Sequence, residues 1–335
     1  MSFTVTSEDL KTLLQSVPEL SGWSDLVNVF DRAGGAPHPD WQIPIIACQA
    51  AGGKSEDALP VAAAVACLQI SIMLVDDLLD EDPRGLHART GPGPAANIAL
   101  AFQAASSELV LNSSMTAEQK TAAASILDHA ALATAYGQHL DDQSLPGEEN
   151  YWNVVSAKST PFYGSCYALG SVAAGADPPT IDGLSEFGVL IGEIIQLQDD
   201  LEDALSSPAN PDWLRQGNNL LIIYALNAQH DSQADFKKLL PDIAEGDLDA
   251  LRKAQVILVR CGAVSYTVYH LIHRYQNTWK LIDSLSLFDP SPITEILNDF
   301  GASLAVLLSK GGVEIDLDAI LNEELPLRSL AGEST

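Results

Sequence analysis

Apolar positions along this chain recur at helical rather than strand spacing. Val, Ile and Thr do not alternate with polar neighbours over any run, while Ala, Leu, Ile, Gln and Glu fill long stretches separated by Gly/Pro/Asp/Ser clusters. That pattern predicts an all-α protein. A Ser/Asp-capped helix and a second short one are expected within 7–30, followed by helices over 41–51, 57–80, 95–112, 117–142, 149–175, 181–205, 217–229, 234–241, 247–284 and 291–310. Pro161 should kink or bound the 149–175 segment, and Gly262 should break 247–284. The stretches 60–79 and 184–198 are apolar all round, which places them in the middle of a bundle. Composition does not shift along the chain, so residues 1–335 read as one domain, with a tail of little structure from about 325 to 335.

Two of the apolar helices end in matching acid clusters: Asp76, Asp77 and Asp80 in VDDLLDED, and Asp199, Asp200 and Asp203 in QLQDDLED. Positions i, i+1 and i+4 are expected to share one helix face, so each cluster would present three carboxylates from one side of a rod. Buried carboxylates cost several kcal/mol each unless neutralised. No nearby run of Lys or Arg can do that. Hard divalent cations held by oxygen can, Mg²⁺ above all, and the positions such an ion leaves open are filled by phosphate oxygens. A single acidic triple is usually a cap or a solvated face; two, both in otherwise uncharged helices, carry more weight.

The remaining composition narrows the partners. Hydrophobic residues make up 47% of the 335, but Phe, Tyr and Trp number 8, 8 and 5, so aliphatic and Ala packing must dominate the core. A formal charge of −28 argues against nucleic acid and against anionic membrane surfaces, and gives an anionic substrate no help from the global field. Cys48, Cys67, Cys166 and Cys261 are widely spaced and form neither a zinc motif nor a disulfide framework. The N-terminus lacks a basic region followed by an apolar one, and no apolar run reaches the ~18 residues of a membrane span. A soluble, cytoplasmic protein without stable membrane insertion is expected.

With these motifs in place the chain resembles the trans-isoprenyl diphosphate synthase (polyprenyl synthetase) family. The first aspartate motif matches at Asp76, Asp77 and Asp80, and the second, a Gln-x-x-Asp-Asp-x-x-Asp, matches in full at Gln196, Asp199, Asp200 and Asp203. Lys158, Ser159 and Thr160, followed by an apolar stretch and Gly170, resemble the family's Lys-Thr segment. The resemblance implies an isoprenoid-synthase helical bundle with a central cavity. It implies three Mg²⁺ ions bridging both clusters to an allylic prenyl diphosphate, whose C–O bond ionises to a carbocation. Lys158 would bind the diphosphate, and Gln196 with Ser159 and Thr160 would stabilise the cation. Ser71 and Ile72, with Ile70 and Met73, would wall the prenyl tail, and Arg84 and Arg215 are candidate diphosphate ligands. No aromatic residue lies within seven positions before Asp76, which favours a longer tail. The family is usually homodimeric, and 95–112 could form the interface.

The match fails where the family binds its second substrate, isopentenyl diphosphate. Its early Gly-Gly-Lys-Arg-x-Arg-Pro segment corresponds to Gly34, Gly35, Ala36, Pro37, His38 and Pro39, where only His38 remains as a cation. Only Arg84 and Gly85 follow the first cluster, with His87 and Arg89 as substitutes, and Gln216–Asn219 lacks the lysine that follows the second. A second diphosphate without a cationic cradle, in a chain of charge −28, is unfavourable. Prenyl transfer to a non-standard acceptor is therefore the leading expectation. A terpene cyclase acting on one prenyl diphosphate, a divergent chain-elongating synthase, and a silent partner subunit of a true synthase remain as alternatives.

Overall fold

The computed structural model describes residues 5–35, 38–215 and 217–310. Helices α1 (Ser7–Gln15), α2 (Pro18–Ser21) and α3 (Ser24–Ala33) lead into a 3-10 turn, Pro39–Gln42, and α4 (Ile43–Ala50). Helices α5 (Leu59–Leu79), α6 (Leu86–Thr90), α7 (Pro92–Leu111) and α8 (Ala117–Gln143) follow. Next come α9 (Glu148–Lys158), α10 (Thr160–Ala173), α11 (Pro178–Leu205) and α12 (Asp212–Arg215). Helices α13 (Leu220–Asn227), α14 (Gln233–Ala244), α15 (Leu248–Arg260), α16 (Ala263–Ser284) and α17 (Ser291–Lys310) complete the described chain. No strand occurs among the described residues, and the fold is all-α as the periodicity predicts.

Local chemistry explains the boundaries. Thr6 and Thr116 close capping boxes with Asp9 and Gln119, and Asp177 caps α11 through the Thr180 N–H. Pro161 does not kink a long helix; it sits in the first turn of α10, where a missing N–H costs nothing, and the chain breaks at Ser159. Gly262, at φ +91°, separates α15 from α16. Two short helices, α6 and α12, lie in segments expected to be loops, and α14 runs through Pro241. The expected tail from 325 to 335 lies outside the described residues.

Helix α5 is apolar on every side and is enclosed accordingly: Val61 to Leu68 are at most 1% exposed. Contrary to the sequence expectation, α5 with its leading turn (Ser55–Leu79) is long and apolar enough to cross a membrane, yet 67% of its apolar window is buried inside the bundle. It packs against α7, while α10 is flanked by α4 and α11. The α10–α11 crossing is close because Gly188 has no side chain: a Cβ there would stand 2.5 Å from the Tyr163 carbonyl oxygen. Apolar side chains gather into one cluster around α4, α5, α7 and α10 and a second around α13, α14, α15 and the first half of α16. The acid-bearing ends of α5 and α11 meet where α9, α12 and the start of α13 close over them.

Candidate active site

Asp76 and Asp80 sit in the last turn and C-cap of α5, and Asp199 and Asp203 in the last turns of α11. Both helices point their negative dipole ends at the same space, which adds to the demand for positive charge. That space is a cavity of about 410 Å³ lined by seven carboxylates (Asp76, Asp80, Asp141, Asp199, Glu202, Asp203, Asp212) and two cations, Lys158 and Arg215.

The six motif aspartates do not all face it. One residue along a helix is a rotation of about 100°, and it turns Asp77 and Asp200 off the cavity wall. Asp77 faces the turn before α6, where a Cβ on Gly85 would lie 3.0 Å from its own. Burial raises its pKa, reinforced by Asp82 and Asp76 against His87 and Arg84. Asp200 is 1% exposed. Its Oδ2 accepts the Leu220 N–H at 2.8 Å and its Oδ1 the Gln196 amide at 3.0 Å, tying α11 to the start of α13. Burial pushes its carboxyl up to about 7, although the Leu220 and Gln196 hydrogen bonds pull the other way. The expectation of three carboxylates per cluster on one face is thus corrected to two.

Lys158, at the end of α9, reaches Asp141 Oδ2 at 2.6 Å and Asp76 Oδ1 at 3.2 Å. Burial opposes its charge, but Asp141 and Asp76 outweigh it and the net pKa is raised. The Lys158 contact to Asp76 Oδ1 is off the line of a good hydrogen bond, so this buried oxygen has no well-formed partner. Arg215 Nη2 binds Asp80 Oδ1 at 2.7 Å and so links α12 to α5. Burial raises Asp199 to about 6, helped by Asp203, Glu202, Asp212 and Asp40. Burial likewise raises Asp212 to about 6, partly offset by the Asn219 amide.

Other predicted site residues take different positions. Gln196 lines the cavity and accepts the Ser159 hydroxyl at 2.8 Å, so Ser159 orients the amide. Thr160 is 3% exposed and donates back to the preceding helix, at the Ser156 carbonyl of α9, 3.0 Å away. Arg84 is not brought to the site; its guanidinium is clamped on Asp82 at 2.7 Å with its side chain 90% exposed. Ser71 and Ile72 line a second cavity of about 320 Å³ between α5, α7 and α8, with Val75, Ala99, Leu100 and Ala131. Ser71 there turns inward and donates to the Ala99 carbonyl. Asp76 and Lys158 line both cavities, which makes the apolar one a continuation of the acidic one. Ile70 is 2% exposed in the core, and Met73 lines neither.

Sequence reasoning missed Asp141, Glu202, Asp212 and Asn218. Asp141 accepts from both Lys158 and Asn218, the latter at 2.7 Å. Its signal was available: Ala130, Thr134, Gly137, Gln138 and Asp141 form one buried stripe of α8, and an acid on such a stripe needs a partner.

The donor set suits hard cations. The acidic groups of the cavity are all carboxylates, one buried oxygen lacks a good partner, and negative charge exceeds positive by five among the lining groups. No three His, Cys, Asp or Glu side chains among the described residues are close enough to form a ready cage. That dispersion fits Mg²⁺, which takes one or two carboxylates and completes its shell with water and phosphate.

Residues 42–257 match the family described as polyprenyl synthetase. The chain is 26% identical over 237 residues to the short chain isoprenyl diphosphate synthase of Methanothermobacter thermautotrophicus, covering 66% of this chain and 72% of that one. The polyprenyl synthetase of Streptomyces coelicolor A3(2) shares the fold with a TM-score of 0.75 at 18% identity, over 88% of this chain and 96% of that one. A geranylgeranyl pyrophosphate synthase from Corynebacterium glutamicum, solved with calcium and isoprenyl diphosphate, does so with a TM-score of 0.74 at 20% identity, over 90% and 94%. The chain belongs to the polyprenyl synthetase family.

Proposed function

We propose that this protein is a prenyltransferase that ionises an allylic prenyl diphosphate, and that the acceptor of its prenyl group is not isopentenyl diphosphate. The observation that carries the first part is the continuity of an acidic cavity with an apolar one through Asp76 and Lys158. A molecule with an anionic head and a greasy tail fits both compartments only if cations join the head. Asp76, Asp80, Asp199 and Asp203 would hold Mg²⁺, three ions by resemblance, and the relative solved with calcium and isoprenyl diphosphate supports a divalent cation in such a site. When bound, the ions supply Lewis-acid neutralisation of the departing diphosphate.

The residues of this chain do the rest. Lys158 and Arg215 offer ammonium and guanidinium hydrogens to phosphate oxygens in exchange for their carboxylate partners. Gln196, pinned between Ser159 and Asp200, turns its amide dipole to the cavity. Ile72, Ala99 and Ala131 line the space for the tail. We read the chain as one domain working as a homodimer, with exposed Leu100, Leu132 and Tyr136 as candidates for the interface.

The relatives' names favour chain elongation, but the cations that would receive a second diphosphate are missing here. Incubation with Mg²⁺ and geranylgeranyl diphosphate should release diphosphate, and Asp76→Ala should abolish that release with the melting profile retained. Release at the wild-type rate from Asp76→Ala would sink the proposal. Product from the prenyl diphosphate alone would favour the cyclase reading, and labelled product only with isopentenyl diphosphate the ordinary synthase.

A further inference from the structure

The apolar cavity carries one group that the ionisation just described leaves without a role. Gln138 of α8 is 7% exposed and lines that cavity. Its amide makes no hydrogen bond among the described residues, and its polar atoms are not sealed off from the cavity. A buried amide left unpaired is destabilising, and an apolar side chain of that size would serve packing better. The other buried hydroxyls of the wall are accounted for. Ser71 donates to the Ala99 carbonyl at 2.9 Å, and Thr134 to the Ala130 carbonyl at 2.8 Å. Their hydrogens are engaged on backbone, so they present lone pairs to the cavity and no donor that could occupy the Gln138 carbonyl.

The depth of Gln138 along the wall follows from the helices. Helices α5 and α8 both run toward the acidic cavity. Lys158 joins Asp76 to Asp141 and so sets these two carboxylates at one level. Gln138 lies three residues before Asp141, about 4.5 Å deeper, and Ile72 lies four before Asp76, about 6 Å deeper. Gly137, the neighbour of Gln138, packs on the Lys158 backbone. Gln138 therefore stands beside Lys158, between the phosphate-facing groups and the first contact for the tail. With the diphosphate at the acid level, the first prenyl carbons cross from one cavity to the other at this point. Gln103, the other amide of the wall, lies one turn beyond Ala99 on α7, deeper than the Ser71–Ala99 contact, and is too far down to reach them.

The surrounding charge decides which end of the amide faces those carbons. Asp76 and Asp141 lie above it, and a carboxylate attracts N–H and repels C=O. As Lys158 turns from them to phosphate, their oxygens are free to take the Gln138 Nε2 hydrogens, which leaves Oε1 toward the prenyl chain. We propose that Gln138 is a catalytic residue whose amide carbonyl faces the allylic cation and stabilises positive charge on the prenyl side of the breaking bond. This rests on the proposed ionisation of a prenyl diphosphate at the same site. The allylic C–O bond breaks, the diphosphate leaves with the electron pair, and no bond forms to Gln138. The charge left on the allyl group meets a dipole already in place, which needs no reorganisation as that charge develops.

Two variants of the full chain test it, Gln138→Leu and the unbranched Gln138→Met. Each removes the dipole and keeps the bulk, so each should melt at or above wild type. With Mg²⁺ and geranylgeranyl diphosphate, kcat for diphosphate release should fall roughly 10–100-fold while KM stays within about threefold. Binding of two probes, read by calorimetry in the presence of Mg²⁺, separates catalysis from cavity shape. One is a non-ionisable thio-analogue of geranylgeranyl diphosphate, whose chain is uncharged. The other is the same chain with a protonated nitrogen at C3, added with inorganic diphosphate. Loss of the amide should weaken the charged chain at least tenfold and the thio-analogue by no more than about twofold. A residue that merely shapes the wall would weaken both alike. Wild-type release in both variants, or equal weakening of the two probes, overturns the role of Gln138 and leaves the ionisation standing. Failure of wild type to release diphosphate overturns the ionisation, and the inference with it.

Discussion

Gly137 controls Lys158 from outside the cavity, and its replacement by alanine gives a sharp test. It lies on α8 against the end of α9, and a Cβ there would stand 2.5 Å from the Ala157 carbonyl oxygen and closer still to the Lys158 backbone nitrogen. Ordinary contact begins near 3.4 Å, so α8 and α9 must part by about 1 Å. Asp141 is one turn further along α8, and the Lys158–Asp141 contact spans the same two helices at 2.6 Å. Parting them stretches it beyond hydrogen-bond range. Overpacking of this kind costs ~1–3 kcal/mol of stability. A displacement of ~1 Å at a positioned group costs up to ~100-fold in rate. Gly137→Ala should therefore melt earlier and release diphosphate roughly 10–100 times more slowly. Lys158→Ala should show a similar rate loss. If Gly137 acts through Lys158, the double variant should be no slower than the worse single. Wild-type turnover in Gly137→Ala, or full additivity in the double variant, would refute the reasoning.

Asp200→Ala should behave unlike Asp76→Ala. It orphans the Leu220 N–H and the Gln196 amide, at ~1–3 kcal/mol each, so at pH 5.5, where Asp200 is mostly protonated, it should melt clearly below wild type; an unshifted melting curve would contradict the α11–α13 tie. The pH dependence has a definite sign. Asp200 at about 7 and Asp199 and Asp212 at about 6 all lie above the carboxyl value of 3.8, so the folded protein holds protons that the unfolded chain has lost. Stability without divalent ions should fall as pH rises from ~4 to ~7, with the buried Asp200 alone contributing on the order of 4 kcal/mol. Added Mg²⁺ should flatten that fall, and calorimetric melts across pH would show it; a melting temperature rising from pH 5 to 7.5 in EDTA would contradict the assignment.

Much of this was legible in the residue pattern, for reasons that also mark where it stopped. Apolar residues on every side of 60–79 and 184–198 located the central helices, because only an enclosed helix can dispense with a polar face. Aspartates at the ends of those helices located the acidic cavity for the same reason. The facing of individual carboxylates was not legible. Asp77 and Asp200 follow Asp76 and Asp199 by one residue, and whether that rotation leads into the cavity depends on what packs beside the helix: Gly85 in one case, Leu220 in the other. Arg84 read as a phosphate ligand by proximity to the motif, yet Asp82 two residues away captures it locally. Asp141 comes from α8, remote in sequence from both clusters, and Asp212 from α12, across the loop that ends α11, so no helical spacing links either to a cluster.

The ion pairs of the cavity bear on the order of assembly. Lys158 is shared between Asp76 and Asp141, and Arg215 is locked on Asp80. A lone anionic head group entering here meets no unengaged positive charge among the groups that line the space. It must come already chelated, or the ions must precede it and displace these side chains from their partners. Occupancy by magnesium and by the prenyl ester should accordingly rise together in a titration, each sharpening the apparent affinity for the other.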